Sequence, residues 1–441
     1  MTGSNFANLI NPFELDLIIQ TIQPTELQDL GSQRWLAFHA NFHRIHQQTI
    51  LEASVLKEET VKDKLILHEK VPLIVHEVIC TSIWRKYVFL ELLAMHPDPK
   101  NTFIPFSILF HEATAVALLE TLLYHEESCE SLGDSAIDLI DYCVGAVTFC
   151  ISRKDIIGDT NDTINMTSGH YLKREEQRLK FDIGIRSITI LRCLAEYLDS
   201  LMPTVARRMY ELHDLPILFV ELINNPPWLA KDSSNEDKIY TDGKWQDIRR
   251  NGAHENQLSK MEGQTWIGLL FLLMSDHCQT HYQITEARKN RLLQLQRHLN
   301  ENVLDQLAPL MDLKQWLSHL SVSSPPVNAK PLVVEVVPEI RERILKSYSM
   351  KWKKLIAMQS KTLFNPVGVD MQDIANSLSG AYDLSKLASL LQMDNYCSNG
   401  CASKATRRCS RCKTEWYCGR ECQVKHWPKH KVSCNLHSNS N

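Results

Sequence analysis

Eight residues near the C-terminus, Cys397, Cys401, Cys409, Cys412, Cys418, Cys422, His430 and Cys434, follow the spacing C-x3-C-x7-C-x2-C-x5-C-x3-C-x7-H-x3-C. Thiolate and imidazole are what zinc takes in tetrahedral sets of four, so eight such ligands predict two closed structural Zn²⁺ sites. Seven of the chain's 13 cysteines fall in this short stretch. The Cys418/Cys422 and His430/Cys434 pairs are spaced i, i+4 and can each share a helix face, while Cys409/Cys412 has the spacing of a knuckle turn. Tyr396, Trp416, Tyr417, Val424 and Trp427 are the main large residues here, too few for an apolar core. Metal must therefore supply the folding free energy, on the order of 10 kcal/mol or more per site, and the metal-free stretch is expected to be disordered. Spacing alone leaves both a sequential and a cross-braced pairing of ligands open.

No other constellation reads as catalytic. His-Glu dipeptides recur at His68, His76, His111, His125 and His254, and none continues to H-E-x-x-H. There is no P-loop and no G-x-G-x-x-G. His39, His43 and His46 could share a helix face, but without a Cys or carboxylate partner nearby they read as a partly exposed edge beside Trp35, Phe38 and Phe42. Cys80, Cys129, Cys143, Cys150, Cys193 and Cys278 sit in apolar stretches and read as small buried hydrophobes. The sequon at Asn165 means little without secretion. The expectation is a protein that is not an enzyme.

The 441 residues are 44% apolar and 23% charged, the proportions of a globular protein with a core. From Asn395 onward nine Lys/Arg face two Glu, a formal +7, while the preceding chain holds 39 basic and 50 acidic residues. Seven thiolates and two Zn²⁺ would bring the terminal module near +4. A basic module on an acidic body argues against a nucleic-acid footprint spread over the protein and permits an acidic partner at the C-terminus. Glu14 and Asp16 and the lack of a basic n-region do not suit a secretory signal. No uninterrupted apolar run approaches the length of a span, so no membrane span and an intracellular, reducing location are expected.

The elements that would carry the module are helical. Asn11 can cap a helix with Pro12 in its first turn and Glu14 at its third position, carrying a Leu15, Ile18, Ile19, Ile22 stripe. Thr25 with Gln28 offers a capping box for a second helix bearing Trp35, Phe38, Phe42 and Ile45. Similar stripes (Val116/Leu119/Leu123, Ile137/Ile140/Val144/Val147, Ile188/Leu191/Leu198) return over about 300 residues. The His213-Asp214-Leu215-Pro216-Ile217 step resembles the loop-to-helix turn of armadillo-type repeats. The fold class predicted is mostly α, an irregular armadillo/HEAT-like stacked-helix array over residues 1–320. Within it, 155–170 reads as an exposed polar loop, and Asp242-Gly243 as the turn of an inserted hairpin. Residues 321–337 read as a linker ending in a short extended run, 338–395 as a long basic amphipathic helix and helical connector, and 435–441 as a disordered tail. The basic helix, with Ile340, Ile344, Tyr348, Trp352 and Leu355 on one face, reads as a docked helix with a solvated face.

Residues 396–434, with Cys-Ser-Arg-Cys, Trp-Tyr-Cys-Gly-Arg-Glu-Cys and His-Trp-Pro-Lys-His-Lys-Val-Ser-Cys in succession, closely resemble a MYND zinc finger. The RING pattern, with its histidine in mid-motif, fits worse. The resemblance implies a cross-brace, with one zinc on Cys397, Cys401, Cys418 and Cys422 and the other on Cys409, Cys412, His430 and Cys434. It leaves His426 as a neighbour of the site rather than a ligand. In MYND fingers that bind proline-containing peptides, a Ser, a Gln and a Trp line the groove, and Ser410, Gln423 and Trp427 stand at the matching positions. MYND fingers also interrupt the catalytic domain of SET methyltransferases, whereas here no Asn-His-Ser-Cys-type cofactor motif precedes the finger. The whole arrangement, a helical body followed by a MYND finger, with Asn-Pro-Phe-Glu near the start, is similar to a family of axonemal dynein arm assembly factors. That resemblance implies a cytoplasmic co-chaperone, at centriolar satellites or the apical region of ciliated cells. Its implied partners are a leucine-rich-repeat assembly factor, an immunophilin-type prolyl isomerase and the ninety-kilodalton heat-shock chaperone, with dynein chains as clients. The alternative is a transcriptional corepressor adaptor that uses the same finger on proline-containing peptides.

Overall fold

The computed structural model describes residues 9–153, 167–232, 235–248, 257–322, 337–364, 382, 397–401, 403–405, 407–411 and 415–438. The first helix, α1 (Pro12–Gln20), starts where its capping chemistry places it: the Asn11 side chain accepts the Phe13 N–H at 2.9 Å. The second does not start at Thr25. The Thr25 N–H donates to the Glu77 carboxylate at 2.8 Å and the Gln28 N–H to the Tyr348 hydroxyl at 3.3 Å, so both donors serve distant residues. The chain turns instead at Gly31, whose φ of +78° and closeness to Leu363 and Ile104 leave no room for a side chain. Helix α2 (Gln33–Leu51) then begins under a Ser32 cap.

After α2 come a π-turn (Glu52–Leu56), α3 (Thr60–Leu67), α4 (Val71–Trp84) and α5 (Leu90–Met95). Next are α6 (Phe103–Leu122), α7 (Glu126–Glu130), α8 (Ser135–Ser152), the 29-residue α9 (Ser168–Glu196), α10 (Pro203–Arg207) and α11 (Leu215–Asn224). The expected polar loop thus ends at Thr167, which caps α9 through the His170 N–H, and residues 154–166 lie outside the described set. At the His213–Ile217 step Asp214 is left-handed (φ 47°), Pro216 sits in the first turn of α11, and the Asp214 carboxylate accepts from Tyr282 and Arg288.

Three antiparallel strands follow, β1 (Leu229–Lys231), β2 (Asp237–Thr241) and β3 (Lys244–Asp247). Asp242 and Gly243, both at positive φ (51° and 74°), make the β2–β3 turn, as a two-residue hairpin of this hand requires. Tyr240 and Trp245 pair across the strands and pack on Phe181 of α9. Helices α12 (Lys260–Met274), α13 (Asp276–His281), α14 (Glu286–Leu293), α15 (Glu301–Gln306) and α16 (Leu310–Val322) extend the array. Helix α9 is its spine and packs on α6, α8 and α12. The α8–α9 approach is close enough that a Cβ at Gly184 would lie 2.2 Å from the Cys150 sulfur. All six body cysteines are buried.

The long basic helix expected from Pro338 is two helices, α17 (Glu339–Tyr348) and α18 (Trp352–Gln359), broken at Ser349–Lys351 and followed by a π-turn (Ser360–Phe364). They are not a separate block after the array. The Asp138 carboxylate accepts the Ile340 and Arg341 N–H groups at 3.2 and 2.9 Å, capping α17 from α8. The Gln359 amide joins the Trp84 indole N–H and the Leu27 carbonyl, and Asn101 donates to the Leu363 carbonyl at 2.7 Å. One apolar cluster therefore runs from Ile10 to Phe364. Residues 323–336, most of the expected linker, lie outside the described set.

Helices α6 and α8 have the length and mean hydropathy of membrane-spanning helices even though polar residues interrupt them. In α6, 78% of the apolar window is buried inside the body against α2, α4 and α9.

Candidate metal centre

The C-terminal module is built on a two-residue hairpin, β4 (Arg407–Arg408) paired with β5 (Trp416–Tyr417), and on α19 (Arg420–Ser438). Helix α19 extends past residue 435, where a disordered tail was expected. Cys409 directly follows β4, Cys418 directly follows β5, and Cys422 lies in the first turn of α19. The loop carrying Cys397 and Cys401 turns at Gly400 (φ +76°). It is tied to β5 by the Ser398 N–H to the Trp416 carbonyl, 2.8 Å, and by the Trp416 N–H to the Ser398 hydroxyl, 3.0 Å.

These elements bring together the sulfurs of Cys397, Cys401, Cys418 and Cys422, all within 4.8 Å of one another. Three of the separations are 3.5, 3.5 and 3.8 Å. A tetrahedron with Zn–S bonds of about 2.3 Å has edges of roughly 3.8 Å, so the donor set fits zinc. The Cys401 thiol is drawn down to about 6, chiefly by the Ser403 backbone N–H, whereas Cys418 is pushed up to about 12 by Cys422 and then Cys401. Thiols this close cannot all ionise without a cation among them.

The second group holds Cys409, His430 and Cys434, also within 4.8 Å, with the two sulfurs 3.9 Å apart. All three are buried. Cys412 lies outside the described residues. The geometry thus groups the described ligands in the crossed manner that the family resemblance implied, with residues close in sequence serving different clusters.

Helix geometry explains the histidines. Each i+4 step advances about 40° around an α-helix, so Cys422, His426, His430 and Cys434 do not face one direction. Cys422 faces the first cluster, and His430 and Cys434 the second. His426 falls between, where its Nδ1 is 3.0 Å from the Tyr417 hydroxyl and its ring stacks 6.0 Å from that of His430.

Gln423 and Trp427 share a face of α19 and are half-buried, and the Trp427 ring stands edge-on to His430 at 5.8 Å. Trp427 therefore packs on the ligand cluster and also keeps part of its surface in solvent. Ser410 is exposed immediately after Cys409.

Two features escaped the sequence reading. The first is Arg408, which donates to the Leu56 carbonyl at 2.6 Å and pairs with Glu58 at 2.9 Å, while its guanidinium lies over Trp416. This contact seats the module on the body where the π-turn ends at left-handed Lys57. Nothing local to Arg408 signals it. The second is the histidine patch, in which His39 and His43 are buried and only His46 keeps part of its surface in solvent. His39 is fully buried, stacks on Trp35 at 5.2 Å, and lies 2.9 Å from His111 and 2.6 Å from the Tyr382 hydroxyl. Behind it, burial opposes ionisation of Glu77, but the His111 and His76 rings, each 3.5 Å away, hold its carboxyl down to about 2. The carboxylate partner absent from the local sequence is Glu77 of α4, reached through His111 of α6, and only packing brings them there.

A MYND finger family matches residues 395–434. A Drosophila melanogaster protein, the zinc finger MYND domain-containing protein 10 homolog, is 32% identical over 452 residues, covering 97% of this chain and 99% of that protein. No solved structure matches the chain.

Proposed function

Because the chain belongs to the zinc finger MYND domain-containing protein 10 family, we propose that it is a cytoplasmic adaptor that promotes preassembly of axonemal dynein arms. The observation that carries a binding role is the zinc-ligand helix α19, which displays Gln423 and Trp427 side by side and half-exposed above the ligand clusters. An amide and an aromatic wall on a rigid face suit capture of a proline-containing segment, with Ser410 at the rim. Two zinc ions hold that face and do no chemistry: in the first cluster four thiols fill every tetrahedral position and leave none for a substrate. The partners fitting this role are a leucine-rich-repeat assembly factor, an immunophilin-type prolyl isomerase and the ninety-kilodalton heat-shock chaperone, with dynein chains as clients.

Affinity purification of the full chain from ciliating cells tests the reading. Chaperone and dynein partners should co-purify and be lost from a Gln423→Ala/Trp427→Ala variant that keeps its zinc. Cells lacking the protein should build cilia without dynein arms, and normal arms in those cells would refute the proposal.

A further inference from the structure

In the body, cations on the helices are usually paired. Arg85, Arg186, Arg192, Arg208, Arg288 and Arg291 each make an ion pair with a carboxylate. The stretch from Arg341 to Lys361 departs from this habit. It holds seven Lys/Arg, and among the described residues none of them forms an ion pair. Arg343, Lys346, Lys351, Lys353, Lys354 and Lys361 are exposed. Residues 337–364 carry seven cations against two Glu, a formal +5, while the rest of the chain before Asn395 carries 32 basic and 48 acidic residues, −16. An acidic body could neutralise this strip, yet among the described residues no carboxylate forms an ion pair with it.

The strip is not purely polar. Met350 is 95% exposed at the α17–α18 break and Met358 is 41% exposed on α18. On α18, Lys353 and Lys354 turn away from the buried Leu355 and Gln359, Met358 lies at the edge of that buried face, and Lys361 is exposed in the turn that follows. Flexible thioethers among cations offer adaptable apolar contacts between charge contacts.

What the strip can hold follows from what its helices have already spent. Ile340, Ile344, Tyr348 and Leu355 lie inside the body core, so these helices cannot roll an apolar face into a lipid surface or be wrapped by a groove. Base stacking would need exposed rings, yet Tyr348 is buried and Trp352 is half-buried beside Tyr87 at 5.3 Å. A ligand must lie across the outside, bring carboxylates, and offer apolar side chains to Met350 and Met358. We propose that the outer face of residues 341–361 is a docking strip for an acidic segment of a partner protein, with apolar residues set between its carboxylates. It is separate from the Gln423/Trp427 face and does not depend on the adaptor reading.

The test uses the full zinc-loaded chain and four probes: a synthetic Glu/Asp peptide with leucine at every fourth position, the same peptide with serine for leucine, vesicles containing phosphatidylserine, and single-stranded RNA. The leucine-bearing peptide should bind with steep salt dependence. A Lys346→Glu/Lys353→Glu/Lys354→Glu variant, with unchanged helicity and zinc content, should weaken it on the order of tenfold or more. Met350→Ser/Met358→Ser should weaken it about threefold and leave the salt slope unaltered. Should the triple variant misfold, Lys354→Gln alone should still lower affinity about twofold to threefold. The proposal is overturned if the leucine-bearing peptide fails to bind, if the folded charge variants bind it as the parent does, if the serine peptide binds equally well, or if only the vesicles or the RNA bind.

Discussion

In the body, Trp84, Phe89, Tyr210 and Phe219 lie fully inside one apolar cluster, whereas the cluster of the finger consists of Cys397, Cys409, Tyr417 and Cys434. The body can hold its shape through area removed from water, about 25 cal/mol per Å². In the finger three of those four residues are candidate ligands, so its interior is built on metal coordination rather than on apolar area. One region has its organising forces distributed over many helices, and the other concentrates them at two points. Damage should therefore be gradual in the first and all-or-none in the second.

Chelation gives the largest separation between the two. Removing zinc should cost the finger on the order of 10 kcal/mol per site. Amides of residues 407–411 and 415–438 should lose protection in hydrogen exchange while those of α6 and α9 keep theirs. A finger that stays protected without metal would erase the contrast.

Next in size is the buried ion pair of the body. Arg85 holds the Glu112 carboxylate through two bonds of 2.8 and 2.9 Å, and Glu112 is almost fully buried. Arg85→Met leaves that carboxylate uncompensated and should lower urea-unfolding stability by about 3–5 kcal/mol, with zinc content unchanged.

Acid comes third. His43 is neutral in the fold, because burial and then the His111 charge lower its pKa from 6.5 to about 4. The unfolded chain takes up that proton below 6.5 and the folded chain does not, so stability drops as pH falls from 6.5 towards about 4. The loss should be on the order of 3 kcal/mol by about pH 4. Urea titrations followed by body tryptophan fluorescence check it, and His43→Phe should make the profile shallower, leaving the part carried by His39 and His46, whose pKa values burial also lowers.

The smallest effect expected is at the seam. Arg408→Ala removes the bonds to Leu56 and Glu58 and should cost about 1 kcal/mol. It should speed exchange around residues 56–61 while both ligand clusters stay intact. Equal loss of metal would mean that the body helps to build the finger.

What was legible in the sequence was local. Asn11-Pro12 gave the start of α1 and Asp242-Gly243 the hairpin turn, because neighbours in the chain decide each of these, whereas the Cys/His spacing gave the ligands and only the family resemblance implied their crossed grouping. What escaped was decided at a distance. The donors of Thr25 and Gln28 were taken by Glu77 and Tyr348, so a sound capping box went unused. The stripe of α17 and α18 was visible, but not that Asp138, Trp84 and Leu27 would receive it. His39 needed His111, and Arg408 needed a carbonyl freed by a π-turn. Periodicity tells which face is buried and not what buries it.

The seating of α17 on Asp138 and of Gln359 on Trp84 and Leu27 has a consequence for synthesis. Residues near the beginning wait for partners 202 to 332 positions later. At about 5–20 residues per second, the opening helices spend roughly 20–70 s outside the ribosome before residue 364 arrives to cover them. A chain truncated near residue 320 would never receive that cover. The nascent body thus carries exposed apolar surface through most of its own translation, and the finger emerges only after the residues that let the body close.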